Sequence, residues 1–211
     1  MNVGTPRTVR VGDRDVVTSI FKAPVEGRIS LRRNNLAGDR QADLTVHGGP
    51  NKAIYLYPSE HYAYWTDQLG EPSLPNGAFG ENLTTLGIDE SDIRIGDRFR
   101  IGTAILQVTQ PRMPCYKLAI RFGRPDMPKR FWQARRPGIY FSVVEEGEVA
   151  AGNIITKVAD GPERITVTEV VRLFVGDDRN PENMQRALRS PLPGEWKDEL
   201  RECAGELTPS D

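Results

Sequence analysis

The sequence predicts a mainly β fold with some helices, which ends in a small C-terminal unit of three helices. Over residues 1–160, short apolar and β-branched runs recur between turns. These runs are not separated by regular helices, which favours a closed or sandwich-like sheet over a doubly wound one. From Thr166 onward the apolar residues follow helical spacing instead. We therefore expect a β-domain over residues 1–160 and a three-helix unit over residues 164–205.

The predicted strands are bounded by turn residues such as Gly12-Asp13 and Gly102-Thr103. The clearest strand is Arg98–Ile101, in which polar and apolar residues alternate as they do in a half-buried strand. The predicted strands comprise residues 15–21, 45–46, 53–57, 98–101, 104–109, 138–144 and 154–158.

Helices within the β-domain are predicted from their end signals. Ser59 is a candidate N-cap, and Gly70 stops the same helix. Cys115 begins a helix that stops at Gly123, and Pro128 suits the first turn of another. The predicted ranges are 59–69, 115–122 and 128–135.

Each helix of the C-terminal unit also carries a local signal. The segment 166–169, Thr-Val-Thr-Glu, matches a capping box, and Asn180-Pro181 is a typical helix start. In a third helix over residues 194–204, Trp196, Leu200 and Cys203 share one face. A unit of about forty residues has a marginal core. We therefore expect it to pack on the β-domain or on a second copy of the chain, so a homodimer stays open.

The composition excludes several classes of protein. The 211 residues include 28 basic and 29 acidic side chains, a net charge of −1, so we expect no stable nucleic-acid binding. A hydrophobic content of 38% argues against disorder. No apolar run reaches the roughly 20 residues that cross a membrane. The N-terminus lacks the apolar region of a secretory signal, and we expect a cytoplasmic protein.

Cysteine and histidine are scarce. The two cysteines, Cys115 and Cys203, are too few for a thiol-rich metal cluster, and a disulfide between them is disfavoured in a reducing cytosol. Histidines occur only at positions 47 and 61, which disfavours a histidine-rich zinc site. The motifs HExxH, CxxC, GxGxxG and GxSxG are missing. A nucleophilic pair of Cys115 and His47 stays open, because such partners meet only in the fold.

The strongest chemical signal is Cys115 in the segment 110–117, Gln-Pro-Arg-Met-Pro-Cys-Tyr-Lys. Backbone N–H groups at a helix start favour a thiolate over a thiol, and Arg112 and Lys117 add positive charge. A thiolate is the ligand that a soft or high-valent metal needs. The alternative is a buried cysteine that acts as a small hydrophobe.

Three further stretches could contact a ligand. Arginines at 32, 33 and 40 could clamp an anion, although a solvated basic loop explains them equally. The turn His47-Gly48-Gly49 could form an anion-binding nest with Lys52 nearby, or could be a plain tight turn. The segment 77–85 combines glycines that allow close backbone approach with Glu81 and Asn82, which can bind a polar heterocycle or occupy a bulge.

Together these segments resemble the MOSC family, the domain at the C-terminus of molybdenum cofactor sulfurases, and within it the stand-alone bacterial YiiM type. The resemblance covers residues 15–160, and the segment 165–204 is similar to the three-helix extension of that type. The motifs that carry it are Asn-Leu-Ala-Gly-Asp at 35–39, His47-Gly48-Gly49 with Lys52, Phe-Gly-Glu-Asn-Leu at 79–83, and Cys115 after Gln-Pro-Arg at 110–112.

The resemblance implies a β-barrel-like MOSC domain that holds molybdenum cofactor in its molybdopterin form. Cys115 would be the metal ligand and the catalytic residue. The implied activity is the reduction of small N-hydroxylated substrates, such as hydroxylaminopurine bases. The residues implied in holding the pterin and its phosphate are Arg32, Arg33, Gly38, Asp39, His47, Gly48, Gly49, Lys52, Phe79, Gly80, Glu81, Asn82, Leu83, Thr109, Pro111 and Arg112.

The sequence also departs from some members of this family. Full-length sulfurases carry a pyridoxal-phosphate desulfurase domain before the MOSC unit, whereas few residues precede the β-region here. We therefore expect that the chain does not generate persulfide itself. It lacks a ferredoxin-like cysteine cluster, so a separate reductase would supply electrons. Two alternatives stay open: a module that carries sulfur as a Cys115 persulfide or delivers the cofactor, and a protein in which Cys115 has a hydrolytic or purely structural role.

Overall fold

Antiparallel strands dominate the first three quarters of the chain, and helices form the last quarter. A computed structural model describes residues 1–40 and 48–205. The strands are β1 Asn2–Val3, β2 Arg7–Val11, β3 Arg14–Thr18, β4 Ala23–Pro24, β5 Arg28–Arg32, β6 Asn35–Leu36, β7 Ile54–Pro58, β8 Leu83–Thr85, β9 Arg98–Ile101, β10 Ala104–Pro111, β11 Ile139–Glu145, β12 Gly147–Ala150 and β13 Ile155–Ala159. The helices are α1 Glu60–Leu69, α2 Tyr116–Phe122, α3 Met127–Gln133, α4 Val167–Phe174, α5 Pro181–Arg189 and α6 Gly194–Gly205, with a 3-10 turn at Pro50–Lys52.

The main sheet has six strands in the order β13-β9-β10-β11-β7-β8 and curls into a half-barrel. All its pairings are antiparallel except that of β7 with β8. Every residue of β7 is buried, whereas β9 alternates exposed and buried residues. Both strands are second from an edge of the sheet, so the difference lies in their faces: β7 is covered on both faces, and β9 on one. Smaller sheets are formed by β12-β5-β6, β1-β4 and β2-β3.

The C-terminal helices share one apolar core with the main sheet. Leu106 and Phe141 of the sheet belong to the same buried cluster as Val170, Trp196 and Leu200 of the helices. The two parts are also joined along the backbone, because the Ile95 amide donates to the Ile165 carbonyl and the Val167 amide donates to the Ile93 carbonyl, both at 2.9 Å. Burial of this apolar surface is the main force that holds the helices in place.

A second, aromatic cluster lies under α1 and α3. Trp65 and Phe131 stack with ring centroids 5.8 Å apart, and Tyr57 packs on Phe79 at 4.6 Å. The indole of Trp65 donates to the Tyr57 hydroxyl at 2.7 Å, so the polar atoms of this cluster are satisfied inside it. This packing supports the loop around Phe79, which forms part of the candidate site described below.

The predicted fold class is confirmed: the chain is mainly β with helices, and three helices follow the sheet. The capping box at Thr166 and Glu169 is present, and Asn180 caps α5 through its side chain. The helices predicted at 59–69, 115–122 and 128–135 match α1, α2 and α3 to within two residues. The boundary between the two predicted domains stays a prediction.

Some sequence predictions were wrong or incomplete. The predicted strand 15–21 ends earlier, because the hairpin pairing stops where Arg7 faces Thr18, and the Thr18 hydroxyl then accepts from the Ile20 amide. Arg32 closes strand β5 instead of lying in a basic loop. The two-residue strands β1, β4 and β6 are too short to show a period in sequence. The strand predicted at 45–46 lies outside the described residues.

No helix in the described parts of the chain is both long and apolar enough to cross a bilayer.

Candidate functional site

A cavity with an empty volume of about 650 Å³, partly open to solvent, lies beside the start of α2. Segments that are far apart in sequence meet at its wall: the end of β3 and the loop after it, the turn after β6, the 3-10 turn, the loop before β8, and the link between β10 and α2. The residues that line it are Thr18, Ser19, Ile20, Lys22, Asp39, Lys52, Tyr55, Gly80, Asn82, Arg112, Met113, Cys115, Lys117 and Tyr140.

Cys115 lies in this wall at the point where β10 gives way to α2. It is the N-cap of α2, in an extended conformation with φ −129° and ψ 164°, and it is half-buried. Pro111 ends the strand and Pro114 precedes the cysteine, so two fixed φ angles shape the turn between them. The result is a thiol held on rigid backbone at the cavity surface.

Arg112 is a buried cation beneath the cavity. Its guanidinium donates to the Phe79 carbonyl and lies over the Tyr55 ring at 4.6 Å. Burial by itself would lower the pKa of Arg112, but Tyr55, Tyr140 and Cys115 outweigh burial and raise the pKa above its ordinary value. The guanidinium therefore stays charged at any physiological pH and brings a permanent positive charge close to the sulfur.

A buried ion pair closes another side of the cavity. Lys22 Nζ lies 2.6 Å from both carboxylate oxygens of Asp39. The same carboxylate accepts from the Gly4 amide at 2.7 Å and from Asn82 Nδ2 at 2.8 Å, while Asn82 Oδ1 accepts from the Tyr55 amide at 3.1 Å. Five segments of the chain are thus tied together through one carboxylate and one side-chain amide. Burial lowers the pKa of Lys22, and Asp39 acts against that change.

Glu81 shapes the loop before β8. Its carboxylate accepts from the Gly77 amide at 2.7 Å, the Phe79 amide at 3.1 Å and the Thr84 hydroxyl at 2.8 Å, and from the Tyr62 hydroxyl. A carboxylate that receives this many donors is occupied by the loop itself. Glu81 therefore positions the backbone of this loop, while Asn82 faces the network described above.

The structure brings several of the sequence-predicted site residues together and leaves others apart. Those that line the cavity are Asp39, Lys52, Gly80, Asn82, Arg112 and Cys115. Phe79, Glu81, Leu83, Thr109 and Pro111 are buried around the cavity without lining it. Gly38, Gly48 and Gly49 lie on neighbouring turns, and Gly49 adopts φ +90° at the start of the 3-10 turn. His47 lies outside the described residues.

Arg32 and Arg33 lie apart from this cavity among the described residues. Both side chains are exposed on the sheet formed by β5, β6 and β12, and the Arg33 amide donates to Glu146 at 2.8 Å. Their predicted role in holding a phosphate stays a prediction that the location does not favour.

Sequence reasoning missed part of the cavity wall. Lys22 and Tyr140 are distant in sequence from every motif and carried no signal. Lys117 was noted only for its charge near Cys115, although its position in the first turn of α2 indicates the same wall. The hydroxyl of Ser19 is buried without a hydrogen-bond partner among the described residues, so it can bond to a bound molecule.

The two tyrosines of the wall are neutral hydroxyl groups. Burial raises the pKa of Tyr55 well above its ordinary value and also raises that of Tyr140, and Arg112 acts against both increases. The Tyr55 hydroxyl donates to the Pro137 carbonyl at 2.7 Å. The Tyr140 hydroxyl, in contrast, has no protein acceptor among the described residues, and Tyr140 is half-buried at the cavity. It can therefore hold a proton next to a bound molecule.

A second group of potential metal ligands, His61, Asp89 and Glu90, lies under α1. Its hydrogen bonds explain it without an ion. Arg136 can only donate, so His61 Nδ1 accepts from it at 2.9 Å, and Nε2 carries the proton given to Glu90 at 2.7 Å. The other Glu90 oxygen accepts from the Gly138 amide at 2.8 Å. Both ring nitrogens are thus engaged in a structural network.

Comparison with known proteins places the chain in a family. A MOSC domain model matches residues 43–156. The uncharacterized protein YflK of Bacillus subtilis is 40% identical over 210 residues, 99% of this chain and 95% of that protein. A protein named Reductase from Gibberella moniliformis is 31% identical over 163 residues, 76% of this chain but 29% of that protein. The crystal structure of YiiM from Geobacillus stearothermophilus superposes with a TM-score of 0.79 at 33% identity and covers 96% of both chains.

The family model matches more than half of the chain, and the YiiM structure matches nearly all of it, the three-helix unit included. The chain therefore belongs to the MOSC domain family, as a protein of the YiiM type.

Proposed function

We propose that this chain binds molybdenum cofactor in the cavity beside α2, with Cys115 as the metal ligand, and reduces small N-hydroxylated compounds. The observation that carries the proposal is the position of Cys115: its half-buried thiol lies in the wall of a cavity whose charged lining residues are mostly cations. Two comparisons support it. MOSC domains are generally associated with this cofactor, and one relative of the chain is named a reductase.

The residues present fit such a group by charge. Lys22, Lys52, Arg112 and Lys117 line the cavity, and Asp39 is the carboxylate among the described lining residues. Asp39 offsets Lys22 and Glu195 offsets Lys52, so the excess positive charge comes from Arg112 and Lys117. A pterin with a phosphate and a dithiolene is an anion, and an excess of cations in a partly closed cavity attracts it. Buried Arg112 and Lys117 add charge that solvent screens weakly.

The same wall offers hydrogen bonds of both kinds to a pterin ring. The unpartnered hydroxyl of Ser19 can donate or accept, and the Tyr140 phenol can donate. Gly80, with φ +80°, brings its backbone close to Ile20 at the edge of the cavity, where a Cβ would lie 3.0 Å from that side chain. Glycine at this position avoids that close contact, because it has no Cβ.

Reduction of an N–OH group to N–H consumes two electrons and two protons and releases water. The cofactor, when bound, would supply the metal redox chemistry that this change requires. In our proposal Cys115 holds the metal, the cations hold the anionic part of the cofactor, and Tyr140 holds a proton near the reacting group. Electrons would come from a separate reductase.

The test of this proposal is Cys115→Ser in protein expressed with an active cofactor pathway. We expect wild-type protein to contain about one molybdenum per chain and the variant to contain less than a tenth of that, because a hydroxyl is a much poorer ligand than a thiolate for this metal. Molybdenum is measured by mass spectrometry, the pterin by fluorescence after release, and folding by circular dichroism. Reduction of benzamidoxime with a chemical donor should fall in parallel.

The matched control is Cys203→Ser. Cys203 lies on α6 and does not line the cavity. We therefore expect the Cys203→Ser variant to have the molybdenum content and the benzamidoxime reduction rate of wild type. Equal molybdenum content in the Cys115 variant and wild type would refute the proposal. So would wild-type protein that binds no molybdenum and instead takes up labelled sulfur on Cys115.

A further inference from the structure

A second cavity, with an empty volume of about 670 Å³, lies on the other side of Cys115. The two cavities share the wall formed by Lys52, Met113, Cys115 and Tyr140. Beyond this shared wall the second cavity is bounded by helix α6, which belongs to the three-helix unit. A molecule in the second cavity would therefore lie against Cys115 and Tyr140, as would one in the first.

The two cavities differ in charge. Arg112 and Lys117 give the first cavity an excess of positive charge, whereas Glu195 and Glu199 line the second, with Lys52 as its cation among the described residues. Glu195 lies 2.9 Å from Lys52 and offsets its charge, which leaves Glu199 as the uncompensated carboxylate of this wall in the described part of the chain. An anion is thus attracted to one side of Cys115 and repelled from the other.

The second cavity also holds an unpartnered acceptor. Gln110 is 1% exposed and lines the cavity, and its Oε1 has no hydrogen-bond partner among the described residues. Leaving a buried acceptor unpaired is unfavourable, and a donor from a bound molecule would relieve that cost. Glu199 likewise accepts and does not donate when ionised. Both groups select for N–H donors on the ligand.

The wall that carries the two glutamates is rigid. Trp196 is 3% exposed and packs against Phe174 with ring centroids 5.1 Å apart, and Leu200 is fully buried in the shared core. Glu195 and Glu199 lie one turn apart on the same side of α6 as the cavity. A fixed helix therefore presents the carboxylates, which lowers the entropic cost of binding a ligand there.

We propose that the second cavity is the substrate pocket, in which Glu199 and Gln110 select a small molecule that is rich in N–H donors and neutral or cationic, against an anionic one. The inference rests on the proposed function for the meaning of "substrate", because the pocket faces the reacting centre only if Cys115 holds the metal. The recognition itself is a property of this chain's own side chains. The three-helix unit would then contribute to specificity as well as to stability.

The test is equilibrium binding of three probes of equal shape to the full chain: benzamidine hydrochloride, benzamide and sodium benzoate. Isothermal titration calorimetry at low salt gives each Kd without any redox step. We expect benzamidinium to bind more tightly than benzamide. Benzoate can bind in the cationic first cavity, so its Kd should not rise in Glu199→Gln. In Glu199→Gln we expect the Kd of benzamidinium to rise by up to about fivefold, because the variant keeps the shape and removes the charge of an exposed partner. The difference in the Kd of benzamidinium between wild type and Glu199→Gln should become smaller at high salt, because salt screens the charge.

The control is Asp198→Asn, which removes a charge from the same helix. Asp198 is exposed, pairs with Arg201 at 2.6 Å, and does not line the cavity. We expect this variant to bind all three probes as wild type does. Equal benzamidinium binding in wild type and Glu199→Gln would overturn the inference, as would a rise in the Kd of benzoate as large as that of benzamidinium.

This experiment separates the two proposals. If probe binding depends on Glu199 but protein from the cofactor-competent host carries no molybdenum, the substrate-pocket proposal is supported and the proposal of cofactor binding is refuted. Normal molybdenum loading with probe binding that ignores Glu199 supports the cofactor and refutes the pocket.

Discussion

At the scale of single residues, Asp39 shows why tertiary contacts define this site. Its carboxylate is 3% exposed and bonds to Lys22, Gly4 and Asn82, which come from different parts of the chain. A buried charge is stable only while its partners remain. Removing the carboxylate would leave the Lys22 ammonium buried and unpaired, beside a cavity that already carries excess positive charge.

We therefore expect Asp39→Asn to lower the free energy of unfolding by about 3 kcal/mol, measured by urea denaturation. The double variant Asp39→Asn with Lys22→Met should lose less free energy of unfolding than the sum of the losses in the two single variants, because the unpaired charge is removed as well.

The control for Asp39 is Asp15→Asn. Asp15 pairs with Arg10 at 3.1 Å, but both side chains are more than 60% exposed. Its loss should cost below about 1 kcal/mol, as is usual for exposed ion pairs. Equal losses at Asp39 and Asp15 would show that the buried network does not contribute to stability.

At the scale of secondary-structure elements, local signals determine where the helices begin. In α4 the Thr166 hydroxyl accepts from the Glu169 amide at 3.1 Å, and the Glu169 carboxylate accepts from the Thr166 amide at 2.7 Å. Both bonds involve residues three positions apart, so the signal is readable from four letters of sequence. The N-cap of α5 by Asn180 follows the same logic.

We expect Thr166→Ala to lower the free energy of unfolding by about 1 kcal/mol, because one backbone N–H of the first turn loses its acceptor. Urea denaturation followed by circular dichroism measures the change. Thr168→Ala is the matched control, since Thr168 lies in the first turn without capping α4. A loss at Thr168 as large as that at Thr166 would mean that the cap is not the cause.

At the scale of the whole molecule, the helices and the sheet form one core. Leu200 at the C-terminal end and Leu31 near the start belong to a single cluster of buried residues, and both are fully buried. A unit joined to its neighbour through such a core unfolds together with it. The same packing fixes α6 against the second cavity, so stability and the proposed recognition depend on one interface.

Leu200→Ala should therefore destabilise the entire chain by about 2–5 kcal/mol. The unfolding curves from tryptophan fluorescence and from circular dichroism should remain coincident. Leu86→Ala is the control, because Leu86 is 81% exposed and its truncation leaves no cavity. Separate transitions for helices and sheet in the Leu200 variant would show instead that the three-helix unit unfolds independently.

The sequence by itself determined the fold class, the helix starts and the importance of the Cys115 turn. These features depend on neighbours within a few positions: alternation in Arg98–Ile101, the capping box at Thr166, and the prolines around Cys115. Interactions between residues this close in sequence can be recognised from the spacing of residue types. The four motifs were also sufficient to indicate the family.

Only the tertiary structure decided which side chains share a cavity. It placed Lys22 and Tyr140 beside Cys115, turned Arg32 to the surface of another sheet, and brought Glu199 of the last helix to the far side of the same sulfur. These contacts join side chains as far as 93 positions from the cysteine in sequence, as Lys22 is, and a separation of that kind leaves no periodic pattern. The shared core sets such distances, because it fixes the helices on the sheet and with them the walls of both cavities.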